Sequence, residues 1–194
     1  MDTKIRIYDD FTGKLITYLQ SQDKSNGHSN RIFSLKFDNL NENVLYSGGW
    51  DETVYIWDIR MPSAVAYIHG PMICGDSLDQ RNSTILCGSW REKQNLQIFD
   101  LKTLKLRQNL EWKTAKNESQ FIYTCKISKY NEDFIIAGTV GSRKELILFS
   151  DVAGEYKFMD NIEKEEGVFC LDFENKRNQF GFGTNGKYGV VNII

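Results

Sequence analysis

An all-β chain of repeated short antiparallel strands is what this sequence predicts, on three observations. Apolar residues alternate with polar ones in short runs rich in Ile, Val, Leu, Phe and Tyr, and helical periodicity is nearly absent. Gly, Asn, Asp, Ser and Lys clusters bound these runs and supply the turns, with only two prolines in the chain. Three of the runs return in the same order, which marks a repeat architecture.

The chain begins with IRIYD at 5–9 and KLITYL at 14–19, read as two strands. A complete unit follows, with RIFSLKFD at 31–38, NVLYSG at 43–48 and TVYIWD at 53–58. Trp57 ends the third strand of that unit. Its counterparts are Tyr8, Phe99, Phe149 and Asn192, so the unit recurs every 42–50 residues. The second strand returns as LYSGGW at 45–50, ILCGSW at 85–90, IIAGTV at 135–140 and FGFGTN at 180–185. The first strand returns as MICGDSLD at 72–79, FIYTCKIS at 121–128 and GVFCLDFE at 167–174. The expected division of a single domain over 1–194 is a partial unit at 1–20, full units at 27–69, 70–111 and 118–160, and a last unit at 165–194 without an outer strand.

Gly27-His28 near one end of the second unit, Trp57-Asp58 near the other, and Ser47-Gly48-Gly49-Trp50-Asp51 between them resemble a WD repeat. The resemblance covers essentially the whole chain and is strongest in that unit. It implies a WD40-type β-propeller with about four blades' worth of four-stranded antiparallel sheets. Such propellers commonly have about seven blades, and an N-terminal segment commonly supplies the outer strand of the last one. On that pattern the chain resembles the C-terminal portion of an incomplete ring. Three arrangements stay open: a second chain supplies the missing blades, the sequence is a truncated product, or it closes unaided as a ring of four to five blades.

Composition narrows the function classes. Hydrophobic residues make up 41% and charged residues 26%, as in ordinary globular proteins, and the net charge of −2 supplies no basic field for nucleic acid. No apolar run approaches the roughly 20 residues that span a bilayer, and MDTKIRIYDD has no signal-peptide pattern. The expected setting is intracellular and cytoplasmic, with cytoskeletal, ciliary or nuclear complexes included, and no membrane partner. Cys74, Cys87, Cys125 and Cys170 are widely spaced within apolar runs, so they read as small hydrophobes rather than as disulfides or metal ligands. No cofactor and no metal are expected.

His28, Ser47 and Asp51 have the residue types of a hydrolytic triad, but no G-x-S-x-G elbow surrounds Ser47. The WD resemblance instead implies a structural tetrad of His28, Ser47, Asp51 and Trp57. Its counterparts are His69, Cys87, Arg91 and Phe99 in the third unit, and Glu118, Ala137, Gly141 and Phe149 in the fourth. Those units are expected to rely more on apolar packing. Gly181 to Gly186 fits G-x-G-x-x-G, yet a strand follows where a dinucleotide site needs a helix, so a hairpin turn is expected. Asp76 falls where Leu35 and Leu171 hold the inward position of the first strand, which predicts a local shift around Gly75. The resemblance places Arg31, Trp50, Met72, Trp90, Arg91 and Phe121 on one rim as candidate protein contacts, since Trp and Arg dominate binding hot spots. The expected function is a non-enzymatic protein–protein interaction scaffold or adaptor within a larger complex. The alternative is a peptide- or ubiquitin-recognition module that uses the propeller channel.

Overall fold

The structure is a computed structural model that describes residues 2–20, 26–112, 119–130 and 132–193. All regular structure among the described residues is β, in five antiparallel sheets. The first sheet is β1 (Ile5–Tyr8) with β2 (Leu15–Leu19). The second is β3 (Ile32–Phe37), β4 (Val44–Gly49), β5 (Thr53–Asp58) and β6 (Ala66–His69). The third is β7 (Leu78–Arg81), β8 (Thr84–Gly88), β9 (Leu96–Asp100) and β10 (Leu106–Asn109). The fourth is β11 (Gln120–Ile127), β12 (Phe134–Gly141), β13 (Glu145–Val152) and β14 (Glu155–Glu163). The fifth is β15 (Val168–Phe173), β16 (Gln179–Thr184) and β17 (Tyr188–Asn192). In every sheet the strands pair in chain order, so the sheets are propeller blades joined by hairpins and short connections.

Alternation along each strand gives the sheets apolar faces, and successive sheets pack face on face at four junctions. Tyr46, Val54 and Ile56 of the second sheet meet Ile73 and Leu78. Leu86, Leu96 and Ile98 of the third meet Ile122, Cys125 and Ile127. Ile136 and Leu146 of the fourth meet Val168, Leu171 and Phe173. Behind the second sheet, Leu45, Tyr55 and Trp57 pack on Ile5 and Leu19. Each such junction removes several aliphatic side chains from water, at about 1.5–3 kcal/mol apiece.

One small residue per blade sets how closely the sheets approach. A Cβ added at Gly48 would lie 2.5 Å from the Ile73 side chain, at Gly88 2.3 Å from Ile122, and at Gly138 2.6 Å from Val168. Glycine at these second-strand positions is therefore a requirement of the next blade. The repeated Gly in LYSGGW, ILCGSW and IIAGTV has this physical reason.

The third sheet departs from the sequence reading. Its first strand was expected over 72–79, but β7 starts only at Leu78. Cys74, Gly75 and Asp76 form a detour in which Gly75 has φ +137° and lies against Tyr123, its would-be Cβ 2.4 Å from that residue's carbonyl oxygen. Pairing shows the consequence: Leu35 opposes Ser47, Leu78 opposes Cys87, and Leu171 opposes Phe182. Leu78, not Asp76, takes the position of Leu35. Asp76 is exposed, and its carboxylate pairs with Lys126 at 2.7 Å. Leu35 is itself exposed, because the first sheet offers no strand against β3. Cys170 is also exposed, whereas Cys74, Cys87 and Cys125 are buried. The Gly181–Gly186 segment is a strand and hairpin turn, with Thr184 N–H donating to the Lys187 carbonyl at 2.8 Å.

Candidate protein-contact rim beside a hydrogen-bonded tetrad

The structure brings His28, Ser47, Asp51 and Trp57 together. β4 carries Ser47 and β5 carries Trp57, while the turn between them carries Asp51. Trp57 Nε1–H donates to Ser47 Oγ at 2.7 Å. His28 Nε2 lies 2.7 Å from the same oxygen, and Nδ1 lies 2.8 Å from Asp51 Oδ2. Donor accounting orders the chain. An indole N–H can only donate and a carboxylate can only accept, so Ser47 passes its proton to Nε2 and Nδ1–H points at Asp51. The backbone N–H of Ser29 adds a bond to Asp51 Oδ2 at 2.9 Å. Burial alone would raise the Asp51 carboxyl, but its hydrogen bonds from His28 and Ser29 hold it below its ordinary value. The Tyr55 ring packs edge-on against the imidazole at 4.8 Å. Ser47 is fully buried and its hydroxyl is committed on both sides. The arrangement ties a loop to two strands.

The third and fourth units differ from this. His69 ends β6 on the surface and contacts Thr53 Oγ1 at 3.3 Å, so it belongs with the second sheet and does not reach Cys87. Glu118 lies outside the described residues, and Phe149 is a core residue. Apolar packing is not the whole replacement, however. Gln120 Nε2 donates to Glu145 Oε2 at 2.7 Å, and Trp112 Nε1 donates to Gln120 Oε1 at 2.7 Å. Asn161 Nδ2 donates to Glu145 Oε1, and the Arg143 guanidinium lies 2.6 Å from it. Asn95 joins from the third sheet by donating to the Gln120 carbonyl at 3.0 Å. Glu145 is fully buried. Sequence reading missed this network because its members come from three strands and three connecting segments with no common spacing.

The rim residues fall into two neighbouring groups. Trp50 N–H donates to the Arg31 carbonyl at 3.0 Å, and Trp90 N–H to the Met72 carbonyl at 2.8 Å, so each indole is held at the start of a first-strand segment. The Arg31 guanidinium lies 5.6 Å from the Trp50 ring, and Phe33 lies 5.2 Å from it. Trp90 stacks on Phe121 at 4.8 Å with planes 13° apart. Tyr123 meets Trp90 at 6.3 Å and Phe169 at 5.1 Å, each edge-on. Arg91 pairs with Glu52 at 2.7 Å, linking the turn beside Trp90 to the turn beside Trp50. Both indoles are partly exposed, and Trp50 Nε1 is buried without a hydrogen-bond partner among the described residues.

Phe33, Tyr123 and Phe169 extend the rim and were not anticipated. Each sits at a register shift, between Ile32 and Ser34, Ile122 and Thr124, and Val168 and Cys170. A bulge turns the extra side chain out of the strict alternation. The visible signal was a β-branched residue followed by an aromatic one in three first strands.

Comparison with known proteins agrees with this geometry. The family described as WD domain, G-beta repeat (WD40) matches residues 19–58. Protein transport protein SEC31 of Dictyostelium discoideum is 35% identical over 66 residues, which is 34% of this chain and 4% of that protein. The ribosome biogenesis protein WDR12 homolog of Culex quinquefasciatus is 23% identical over 165 residues, 84% of this chain and 37% of that one. The chain thus spans well under half of either curated relative. A chain of the mitotic checkpoint complex superposes with a TM-score of 0.76 at 15% identity, over 99% of this chain and 55% of that chain. The computationally designed Ika8 protein gives 0.72 at 19% identity, over 99% and 53%. The designed Ika4 protein gives 0.66 at 20% identity, over 86% and 94%. These structural likenesses concern the fold. One repeat is matched by the family over residues 19–58 and the same blade plan returns in the sheets that follow, so the chain has the fold of a WD40-type β-propeller.

Proposed function

We propose that this chain is a non-enzymatic scaffold that binds other proteins through the rim formed by Arg31, Phe33, Trp50, Met72, Trp90, Arg91, Phe121 and Tyr123. The observation that carries this reading is the pair of partly exposed indoles, each fixed by a backbone hydrogen bond and flanked by aromatic or guanidinium groups. Rigid Trp and Arg side chains supply most of the energy in protein interfaces, because they bury large areas at low entropic cost. The sealed tetrad argues against hydrolysis at Ser47 and for a fixed platform beneath Trp50. Relatives named for protein transport and for ribosome biogenesis support a role inside a larger intracellular assembly. Nucleic acid and membrane are not its direct partners.

A second reading has its own support. The edge-on series from Trp90 to Phe169, beside the Lys126–Asp76 pair, offers an aromatic and charged mouth suited to a short extended peptide.

The test is affinity purification of the tagged full chain beside its Trp50→Ala/Trp90→Ala variant. The scaffold reading expects stoichiometric partners to fall at least about tenfold at temperatures where the variant is still fully folded, the size of effect two hot-spot truncations produce. Equal recovery by the variant contradicts it.

A further inference from the structure

Beside the rim, a cavity of about 600 Å³ opens where the third sheet meets the fourth. That size lies in the range of ligand sites. One wall is the turn between β8 and β9, with Glu92 and Asn95. A second is the segment after β10, with Leu110, Glu111 and Trp112, and Gln120 at the start of β11 lines a third side. The same two elements carry part of the rim. Trp90 belongs to that turn and stacks on Phe121, the neighbour of Gln120.

The inner groups of this cavity are held in place. Gln120 is 3% exposed, and both ends of its amide are engaged, Nε2 by Glu145 and Oε1 by the Trp112 indole N–H, each at 2.7 Å. The buried Glu145 network thereby orients Gln120 and, through it, the Trp112 ring. Asn95 is 8% exposed, and its Nδ2 donates to the Gln120 carbonyl at 3.0 Å. That bond fixes which way the amide points. Oδ1 is left as an acceptor at the cavity wall, with no partner among the described residues. An acceptor left open on so buried a side chain costs free energy until a donor reaches it. At the mouth, the exposed Glu92 and Glu111 have no ion-pair partner among the described residues, and Lys93 sets one positive charge against their two.

Resting on the reading of the rim as a protein-contact surface, we propose that this cavity takes an arginine side chain from the partner segment that lies across Trp90. A guanidinium carries five N–H donors in one plane, accepts no hydrogen bond and stacks on aromatic faces. One such group meets the open Asn95 oxygen, the two carboxylates and the indole together. A lysine ammonium is a compact point charge and spans separated acceptors less well. A carboxylate or phosphate would face Glu92, Glu111 and Asn95 Oδ1 with like polarity.

The experiment titrates the full chain with acetyl-Ala-Arg-Ala-amide, and with the same tripeptide carrying lysine or citrulline, the neutral isostere of arginine. The side-chain N–H signals of Asn95, Gln120 and Trp112 are followed by NMR. The arginine tripeptide is expected to shift all three to saturation and to bind at least about fivefold more tightly than the citrulline one, with lysine between them. Glu92→Gln/Glu111→Gln is expected to weaken the arginine tripeptide about fivefold, the effect of two exposed ion pairs. Three signals that stay still overturn the proposal. So does equal or tighter binding of the lysine or citrulline tripeptide, or an affinity indifferent to Glu92→Gln/Glu111→Gln. Trp50→Ala should leave the tripeptide affinity unchanged. Full partner recovery by the Trp50→Ala/Trp90→Ala variant would end the rim reading and leave the tripeptide result standing, so the two failures are separable.

Discussion

The second and fourth sheets stabilise the same part of a blade with opposite chemistry. In the second, a relay from Trp57 through Ser47 and His28 ends on Asp51, a carboxylate in a turn, with Ser29 N–H beside it. In the fourth, the carboxylate of Glu145 sits at the centre, fully buried, and draws Gln120, Asn161 and Arg143 around itself. The relay spreads its polarity over neutral groups and spends one hydrogen bond per link. The fourth-sheet network concentrates a charge in low dielectric and needs every neighbour present. The same blade geometry therefore tolerates two solutions with different sensitivity to loss of a member.

The largest expected effect follows from that difference. Glu145→Ala removes the shared acceptor of Gln120 and Asn161 and leaves Arg143 its pair with Glu163, and should destabilise the chain by about 3–5 kcal/mol in denaturant unfolding. Glu145→Gln, which keeps an acceptor, should cost less than half as much. Ser47→Ala cuts the relay in the middle and orphans the Trp57 N–H and His28 Nε2, for about 2–4 kcal/mol. Trp57→Phe removes one donor at the end and should cost about 1–2 kcal/mol by the same measurement. If Ser47→Ala exceeds Glu145→Ala, the distinction between a distributed and a concentrated network fails.

Acid sharpens the comparison. The Asp51 carboxyl is held below its ordinary value near 3.8, so its contribution is complete above that value. Stability should fall as pH drops through the lower folded-state value, when the carboxylate takes up a proton. Unfolding of Asp51→Asn followed from pH 6 to pH 2 should show a shallower acid limb than the parent chain. The smallest stability effect is expected at the rim, where Trp50→Ala should cost only about 1 kcal/mol because the indole is partly exposed.

The sequence reading succeeded where a feature repeats at a fixed offset. Trp57, Phe99 and Phe149 all lie on third strands, and the second-strand glycines lie under the next blade, because one junction geometry is reused. It failed where a unit breaks the spacing. Two inserted residues near Gly75 moved the first strand of the third sheet, so Asp76 was aligned with Leu35 in place of Leu78. His69 was matched to His28 by position, yet only His28 has a serine and a carboxylate within reach. The tetrad was legible because the resemblance to WD repeats names its members. The Glu145 network was not, since a buried charge is identified by what surrounds it and those neighbours are distant in the chain. The rim was half legible: Trp50 and Trp90 stand out by repeat, while Phe33, Tyr123 and Phe169 depend on bulges that only strand pairing reveals.

The central claim is that the tetrad supports the fold while the rim beside it does the binding. Melting temperature and partner recovery, measured together on Ser47→Ala and on Trp50→Ala/Trp90→Ala, test it most directly. Ser47→Ala is expected to lower the melting temperature yet retain its partners below it, and the double Trp variant to melt only a few degrees lower than the parent and lose them. A chemical activity lost in Ser47→Ala at an unchanged melting temperature would contradict it.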